Sequence, residues 1–223
     1  VVGYIAEGLF QSQEEIDRSP IQSGNYMPGD IRYRDVNGDG KISIDDAVHI
    51  GYPTEPRFVY GFNGTISYKR FEFNFAFQGA SKRSLFIEPS SLSPFVNDRA
   101  LLSAIWEDHW TPENMKANPL WPRLSTSSIT THNMEEARIG QETLRASTFM
   151  REVKFLRCQS LELAYNLPTR WVEKIGLQRL KPYIRVNNPF LISDFDLWDV
   201  ELGSSGFNYP IQRTYSVGIN LSF

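Results

Sequence analysis

Apolar and polar residues alternate without a break through positions 214–223, the last of the chain. Tyr215, Val217, Ile219, Leu221 and Phe223 share one parity, and Ser216, Gly218, Asn220 and Ser222 the other, so an extended strand here has one greasy and one hydrophilic face. The same period of two recurs upstream. Phe58, Tyr60, Phe62, Ile66 and Tyr68 stand against Gly61, Asn63, Thr65 and Ser67 over 58–68. Only Lys69 and Arg70 intervene before Phe71, Phe73, Phe75 and Phe77 alternate with Glu72, Asn74, Ala76 and Gln78 over 71–80, which predicts a hairpin with a tight turn. A third strand over 148–166 groups Val153, Phe155, Leu161, Leu163 and Tyr165, and the intrusion of Arg157 and Gln159 on that parity predicts a bulge near Arg157. A fourth over 179–192 sets Leu180, Ile184, Val186 and Phe190 against Tyr183, Arg185 and Asn187, with Pro182 and Pro189 unable to donate to a ladder. The closing strand covers 213–223.

This patterning predicts an all-β chain, and four phenylalanines on one strand face are hard to place in a small soluble core. They suit lipid outside and a wet lumen inside, in strands of the length that a tilted transmembrane crossing needs. The closing strand also fits the assembly signal of outer-membrane barrels, read here as Ser216, Gly218, Leu221 and Phe223. The joins between strands run short, long, short, long, with the longest at 81–147. Outer-membrane barrels have short periplasmic turns and long outer loops, so the order places residues 1–57 outside the cell and Phe223 in the periplasm. Such barrels have at least eight strands, so the five here predict further strands upstream.

Composition adds exclusions. The net charge is −3 with no basic run, which gives no reason to expect a nucleic-acid partner, and no apolar stretch is long enough for a transmembrane helix. The single Cys158 excludes an intrachain disulfide. The chain opens on Val1 without a leader-like segment, from which a fragment of a longer protein is expected.

The segment 35–46, Asp35-Val36-Asn37-Gly38-Asp39-Gly40-Lys41-Ile42-Ser43-Ile44-Asp45-Asp46, fits a twelve-residue calcium loop. A hard cation needs several oxygens converging on one point. Asp35, Asn37 and Asp39 supply side chains, Lys41 its carbonyl, Ser43 the position often bridged by water, and Asp46 replaces the usual closing Glu. The competing reading is a polar Asp, Asn and Gly turn. Ile42 and Ile44 suit a loop docked on a larger body, and a single copy without long flanking helices points to a structural site. Nothing comparable supports catalysis: His49, His109 and His132 are far apart, no nucleophile-elbow or His-Glu-x-x-His pattern occurs, and Glu107, Asp108 and Glu113 read as solvated loop residues. Trp106, His109, Trp110 and Trp121 suit either sugar stacking or, preferably, packing of their own loop, and no substrate residue is assigned. Tyr60, Tyr68, Tyr165 and Tyr215 near strand ends read as interfacial anchors.

Several blocks resemble one family in combination. Pro28-Gly29-Asp30-Ile31-Arg32-Tyr33-Arg34 running into the Asp35 loop, Ile50-Gly51-Tyr52-Pro53, Tyr60-Gly61-Phe62-Asn63 and Phe77-Gln78-Gly79 resemble the C-terminal part of SusC-like TonB-dependent transporters of the Bacteroidetes. So do Gln11 to Ile16, Trp110-Thr111-Pro112-Glu113-Asn114, Pro122-Arg123-Leu124, Phe155-Leu156-Arg157, Lys174-Ile175-Gly176-Leu177 and Arg213 to Phe223. Asn187-Asn188-Pro189-Phe190 and Pro182 depart from the family pattern and put the geometry of the fourth strand in question. The resemblance implies a barrel of about 22 strands with a plugged lumen. It further implies an importer of oligosaccharides or oligopeptides working with a SusD-like surface lipoprotein as lid and with TonB, whose contact residues are not in this chain. The alternative is a secreted calcium-stabilised module, dockerin-like or carbohydrate-binding, for which a second calcium loop is missing.

Overall fold

The computed structural model describes residues 1–22, 24–88, 92–95, 100–125, 138–139, 142–143, 145–204 and 206–223, the backbone alone at 138–139 and 142–143. Twelve strands appear among them: β1 Val2–Tyr4, β2 Ala6–Leu9, β3 Ile31–Tyr33, β4 Val48–His49, β5 Phe58–Tyr68, β6 Phe71–Phe86, β7 Arg138–Ile139, β8 Glu142–Thr143, β9 Arg145–Ala146, β10 Met150–Tyr165, β11 Arg179–Ser193 and β12 Thr214–Ser222. Short helices α1 Gln13–Asp17, α2 Ser103–Glu107 and α3 Thr169–Val172 connect them. The chain divides into two compact units, Val1–Thr54 with Ser84–Glu152 and Gly203–Ser205, and Glu55–Arg83 with Val153–Leu202 and Gly206–Phe223.

The second unit holds the five-stranded sheet, ordered β12-β11-β10-β6-β5. The β5–β6 ladder runs unbroken from Phe58↔Ser81 to Tyr68↔Phe71, and β11–β12 from Arg179↔Ser222 to Asn187↔Thr214. Lys69 takes φ 54°, the positive value that a primed two-residue turn requires to match strand twist. The edges of β10, β11 and β12 fall within two residues of those expected, and the large departure is at β6, which continues to Phe86 where an end near residue 80 was expected. Its last residues, Ser84, Leu85 and Phe86, are buried, so packing extends the strand past the point where its period-two signal fades.

The bulge expected near Arg157 is found just beyond it. Between β10 and β11 the register passes from Cys158↔Phe190 to Ser160↔Asn187, so Asn188 and Pro189 face the single Gln159. Asn188 adopts φ 50°, a conformation asparagine tolerates, and Pro189 sits where the ladder is interrupted and no donor is needed. Buried side chains on β10 accordingly change parity, with Val153, Phe155 and Arg157 before the irregularity and Glu162 and Ala164 after it. Phe77 and Phe190, on the strands flanking β10, bring their rings to 6.1 Å, and the small residue paired with Phe190 is the fully buried Cys158.

The first unit has a core of its own around Phe10, Ile31, Ile87, Trp121 and Phe149, all at most 2% exposed. Trp121 and Phe149 approach to 5.3 Å between ring centroids. Small sheets β4-β1-β9 and β2-β3 frame it. Gly29, at φ 92°, lies against Trp110, where a Cβ would come within 2.4 Å of the indole. Asp30, fully buried, pairs with Arg123 at 2.6 Å.

Candidate functional site

The sheet of the second unit has two chemically opposite faces. On one lie Tyr68, Ile66, Phe62, Phe71, Phe73, Phe77, Leu163, Ile184, Val217, Ile219 and Leu221, joined in register by pairs such as Phe62↔Phe77, Leu163↔Ile184 and Ile184↔Val217. Much of this apolar surface is exposed, up to 80% at Val217. An exposed apolar face spanning five strands is unstable in water and matches a hydrocarbon environment.

The opposite face is a connected polar surface. Thr65 Oγ1 donates to Asn74 Oδ1 at 2.6 Å, and Asn74 Nδ2 donates to Glu162 Oε1 at 3.0 Å and Glu72 Oε1 at 3.2 Å. Arg185 Nε donates to the other Glu162 oxygen at 2.8 Å, and Lys181 Nζ reaches Glu72 at 2.8 Å. This chain of bonds crosses from β5 through β6 and β10 to β11, so each ionised group finds a partner of opposite charge or an amide. Such a surface tolerates water and polar solutes, as a lumen wall must.

Glycines fix close approaches between the strands. A Cβ on Gly79 would lie 2.4 Å from the Phe155 carbonyl oxygen and 2.4 Å from the Tyr60 ring, which bends over this position so that the Tyr60 hydroxyl can donate to Phe155 O at 2.9 Å. Gly218, from the assembly-signal set, lies under the Tyr183 ring, 2.5 Å from where its Cβ would be. The other members, Ser216, Leu221 and Phe223, are exposed. Tyr68 and Tyr165 close β5 and β10, and Phe71 packs against Tyr165 at 4.9 Å.

The acidic loop coils through its own hydrogen bonds. Asp35 accepts from Gly38 N at 2.6 Å and Gly40 N at 2.8 Å, Asn37 from Asp39 N at 2.9 Å, and Asp39 from Lys41 N at 2.8 Å. Asp46 is fully buried and accepts from Val36 N at 2.8 Å, Asn37 N at 3.3 Å and Ser43 N at 2.7 Å. Burial pushes the Asp46 carboxyl up, and the N–H groups of Ser43, Val36 and Asn37 outweigh it, holding the group below the ordinary carboxylate range. Ser43 and Asp46 also form a reciprocal capping box on the 3-10 turn Ile44–Asp46, a role that the sequence announced as Ser-x-x-Asp and that the metal reading passed over. Ile42 N bonds to Ile21 O at 2.8 Å, which ties the loop down by backbone, whereas Ile44 is exposed instead of docked. Among the described residues no three His, Cys, Asp or Glu side chains are gathered in a metal-holding group. The oxygen donors themselves suit a hard cation, and the low-lying Asp46 carboxyl is ionised as a ligand must be.

The loop aromatics separate. Trp110 and Trp121 are buried, Trp110 Nε1 donating to Gln11 Oε1 at 3.1 Å, while Trp106 stays exposed beside the His109 ring. His109 Nδ1 lies against the carbonyls of Ile105 and Trp106, and His49 is exposed on β4. His132 lies outside the described residues. Asp108 meets Lys116 and Leu120 N, a local structural arrangement.

An antiparallel sheet with one lipid-compatible and one hydrated face defines the class: wall of a transmembrane β-barrel, here an open section of it. No protein-family model matches the chain. Among curated proteins it is 33% identical to TonB-dependent receptor P26 of Formosa agariphila, across 97% of this chain and 22% of that protein. It is 24% identical to TonB-dependent receptor SusC of Bacteroides thetaiotaomicron, across 100% of this chain and 20% of SusC. Among solved structures, the RagAB peptide importer in its open-open state matches with a TM-score of 0.64 at 18% identity, across 100% of this chain and 22% of that one. The chain belongs to the SusC-like TonB-dependent receptors and spans about a fifth of the length of the curated relatives it matches.

Proposed function

We propose that this segment forms barrel wall and outer loops of an outer-membrane importer of oligosaccharides or oligopeptides, coupled to TonB and covered by a SusD-like surface lipoprotein. The observation that carries this reading is the two-faced sheet, with exposed Val217, Ile219 and Ile184 on one side and the Glu72–Asn74–Glu162–Arg185 chain on the other. The long connections 87–149 and 194–213 leave one end of the sheet and the short ones 69–70 and 166–178 the other, which supports long loops and residues 1–57 outside and Phe223 in the periplasm. Ser216, Gly218, Leu221 and Phe223 then serve barrel assembly, and no catalytic residue is assigned. The structurally similar RagAB is a peptide importer, so peptides are the first cargo to test and oligosaccharides the second.

The test is extraction of outer membranes in detergent followed by intact-mass analysis of the protein carrying this sequence. A large chain that co-purifies with a lipoprotein, and whose deletion abolishes uptake of an oligopeptide or oligosaccharide, supports the importer. A soluble species of 25.7 kDa sinks it in favour of the secreted calcium-stabilised module.

A calcium ion belongs to the same proposal. Asp35, Asn37, Asp39, the Lys41 carbonyl, Ser43 and Asp46 would hold it, and the ion would rigidify an outer loop on which a lid docks. Chelation should raise proteolysis within residues 20–57; unchanged cleavage rates with and without chelator would refute the ion.

A further inference from the structure

Arg151 is a half-buried guanidinium without a carboxylate partner among the described residues. Among the described residues its Nη1 alone is engaged, donating to the carbonyls of Thr148 at 2.6 Å and Met150 at 2.9 Å. The Nε and Nη2 edge, the one that takes a carboxylate through two parallel bonds, is left over. Withdrawing a permanent positive charge from water without an anion is costly, and three other half-buried arginines of this unit each have a partner: Arg32 meets Glu15, Arg123 meets Asp30, and Arg145 lies over the Phe86 ring at 4.3 Å. Arg151 departs from that pattern, and it does so at a cavity.

The cavity measures about 350 Å³ and lies wholly within the first unit. Its volume falls at the lower end of small-ligand pockets, with room for one sugar ring or a dipeptide. Leu9, Pro119 and Pro122 supply rigid apolar wall, while Asn118, Ser147 and Thr148 bring polar groups to the same space as Arg151. The Ser147 hydroxyl accepts from Ala6 N at 2.9 Å, which anchors its oxygen and leaves its hydrogen free to donate. Gly8, at φ 114°, lets the backbone pass close to Ala117 and Asn118 along the cavity wall.

We infer that this cavity binds a small carboxylate, the terminal group of a sugar acid or of a peptide C-terminus, with Arg151 Nε and Nη2 clamping the carboxylate and Ser147, Thr148 and Asn118 holding its polar remainder. Phosphate monoesters are disfavoured because one guanidinium is the only cation lining the space among the described residues. The site is independent of the import reading, since it concerns binding in a loop cavity and not passage through the barrel.

The test uses the detergent-purified receptor that carries this segment and two matched pairs of probes, glucuronate against glucose and alanyl-alanine against its C-terminal amide, by titration calorimetry. The acid of at least one pair should bind at least tenfold more tightly than its neutral counterpart, and Arg151→Gln should remove that preference. Which pair discriminates identifies the source of the carboxylate. Equal binding within both pairs, or a preference that survives Arg151→Gln, overturns the site. A readout on the unmutated protein guards against a misfolded variant: phenylglyoxal should modify Arg151, and the preferred acid but not its neutral partner should protect it. Modification that the acid leaves unchanged overturns the proposal equally. Uptake that persists after deletion of the receptor, with acid binding intact, would count against the import reading alone.

Discussion

Arg157 is the ionic anchor of the segment after β11, and replacing it with methionine has an effect that the geometry sizes. Its side chain is 5% exposed and its Nη2 donates to both Asp199 oxygens at 2.6 and 2.7 Å, while Nε meets Glu201. Methionine matches the length of the apolar stem and removes the charge, which leaves two carboxylates facing an uncharged wall. Removing one partner of a buried ion pair costs about 3–5 kcal/mol. Here Asp199 and Glu201 remain 22% and 32% exposed and regain water as the segment lifts, so the lower end applies, about 3 kcal/mol. That corresponds to roughly a 150-fold larger opening constant for the segment alone. The amides to watch are Glu201, bonded to Asp199 Oδ1 at 3.1 Å, and Leu202, bonded to Asp199 O at 2.9 Å. Hydrogen exchange should accelerate there by about two orders of magnitude, while the β5–β6 amides keep their protection. A change of less than threefold at Glu201 and Leu202 would show that the triad does not hold the segment down and that Phe195 and Val200, both buried, suffice.

Further outcomes follow from the same structure. Val217→Arg, on the apolar face, should lower barrel stability in lipid by about 2–4 kcal/mol if it sits near the bilayer centre, whereas Ser216→Arg on the polar face should change it by well under half of that; chemical unfolding in vesicles distinguishes them. Gly79→Ala should push the Phe155 carbonyl and the Tyr60 ring apart, lose the Tyr60 hydroxyl bond and cost about 1–3 kcal/mol, whereas Gly38→Ala meets no atom within 4 Å and is limited to its φ of 78°. Because the Asp46 carboxyl is depressed in the folded loop, its contribution to stability is complete above the ordinary aspartate value of about 3.9 and is lost as pH falls through the lower folded value. Acid should therefore loosen residues 35–46 in hydrogen exchange, and Asp46→Asn should loosen them already at neutral pH and flatten the pH dependence.

The sequence by itself determined the two faces of β5, β6 and β12, whereas on β10 the single face expected for Val153, Phe155, Leu161, Leu163 and Tyr165 is broken by the change of parity. Strict period-two alternation in Phe71 to Gln78 and Thr214 to Phe223 leaves one register that keeps phenylalanine off the polar side, and Lys69-Arg70 between two such runs leaves only a tight turn. The coiling of the acidic loop was equally local, since Asp35, Asn37 and Asp39 reach amides a few residues ahead. Family membership was legible for the same reason: its blocks are contiguous. What only the tertiary structure decided involves partners distant in sequence. The irregularity near Arg157 could be suspected from parity on β10, but its placement opposite Asn188-Pro189 depends on cross-strand register. Trp110 and Trp121 went to the core and Trp106 to solvent because of what packs on them, including Gly29 far upstream. The links from Asn74 to Glu162 and from Arg157 to Asp199, and the cavity at Arg151, join residues separated by long stretches of chain, where local pattern carries no information and the folded geometry alone sets the distance.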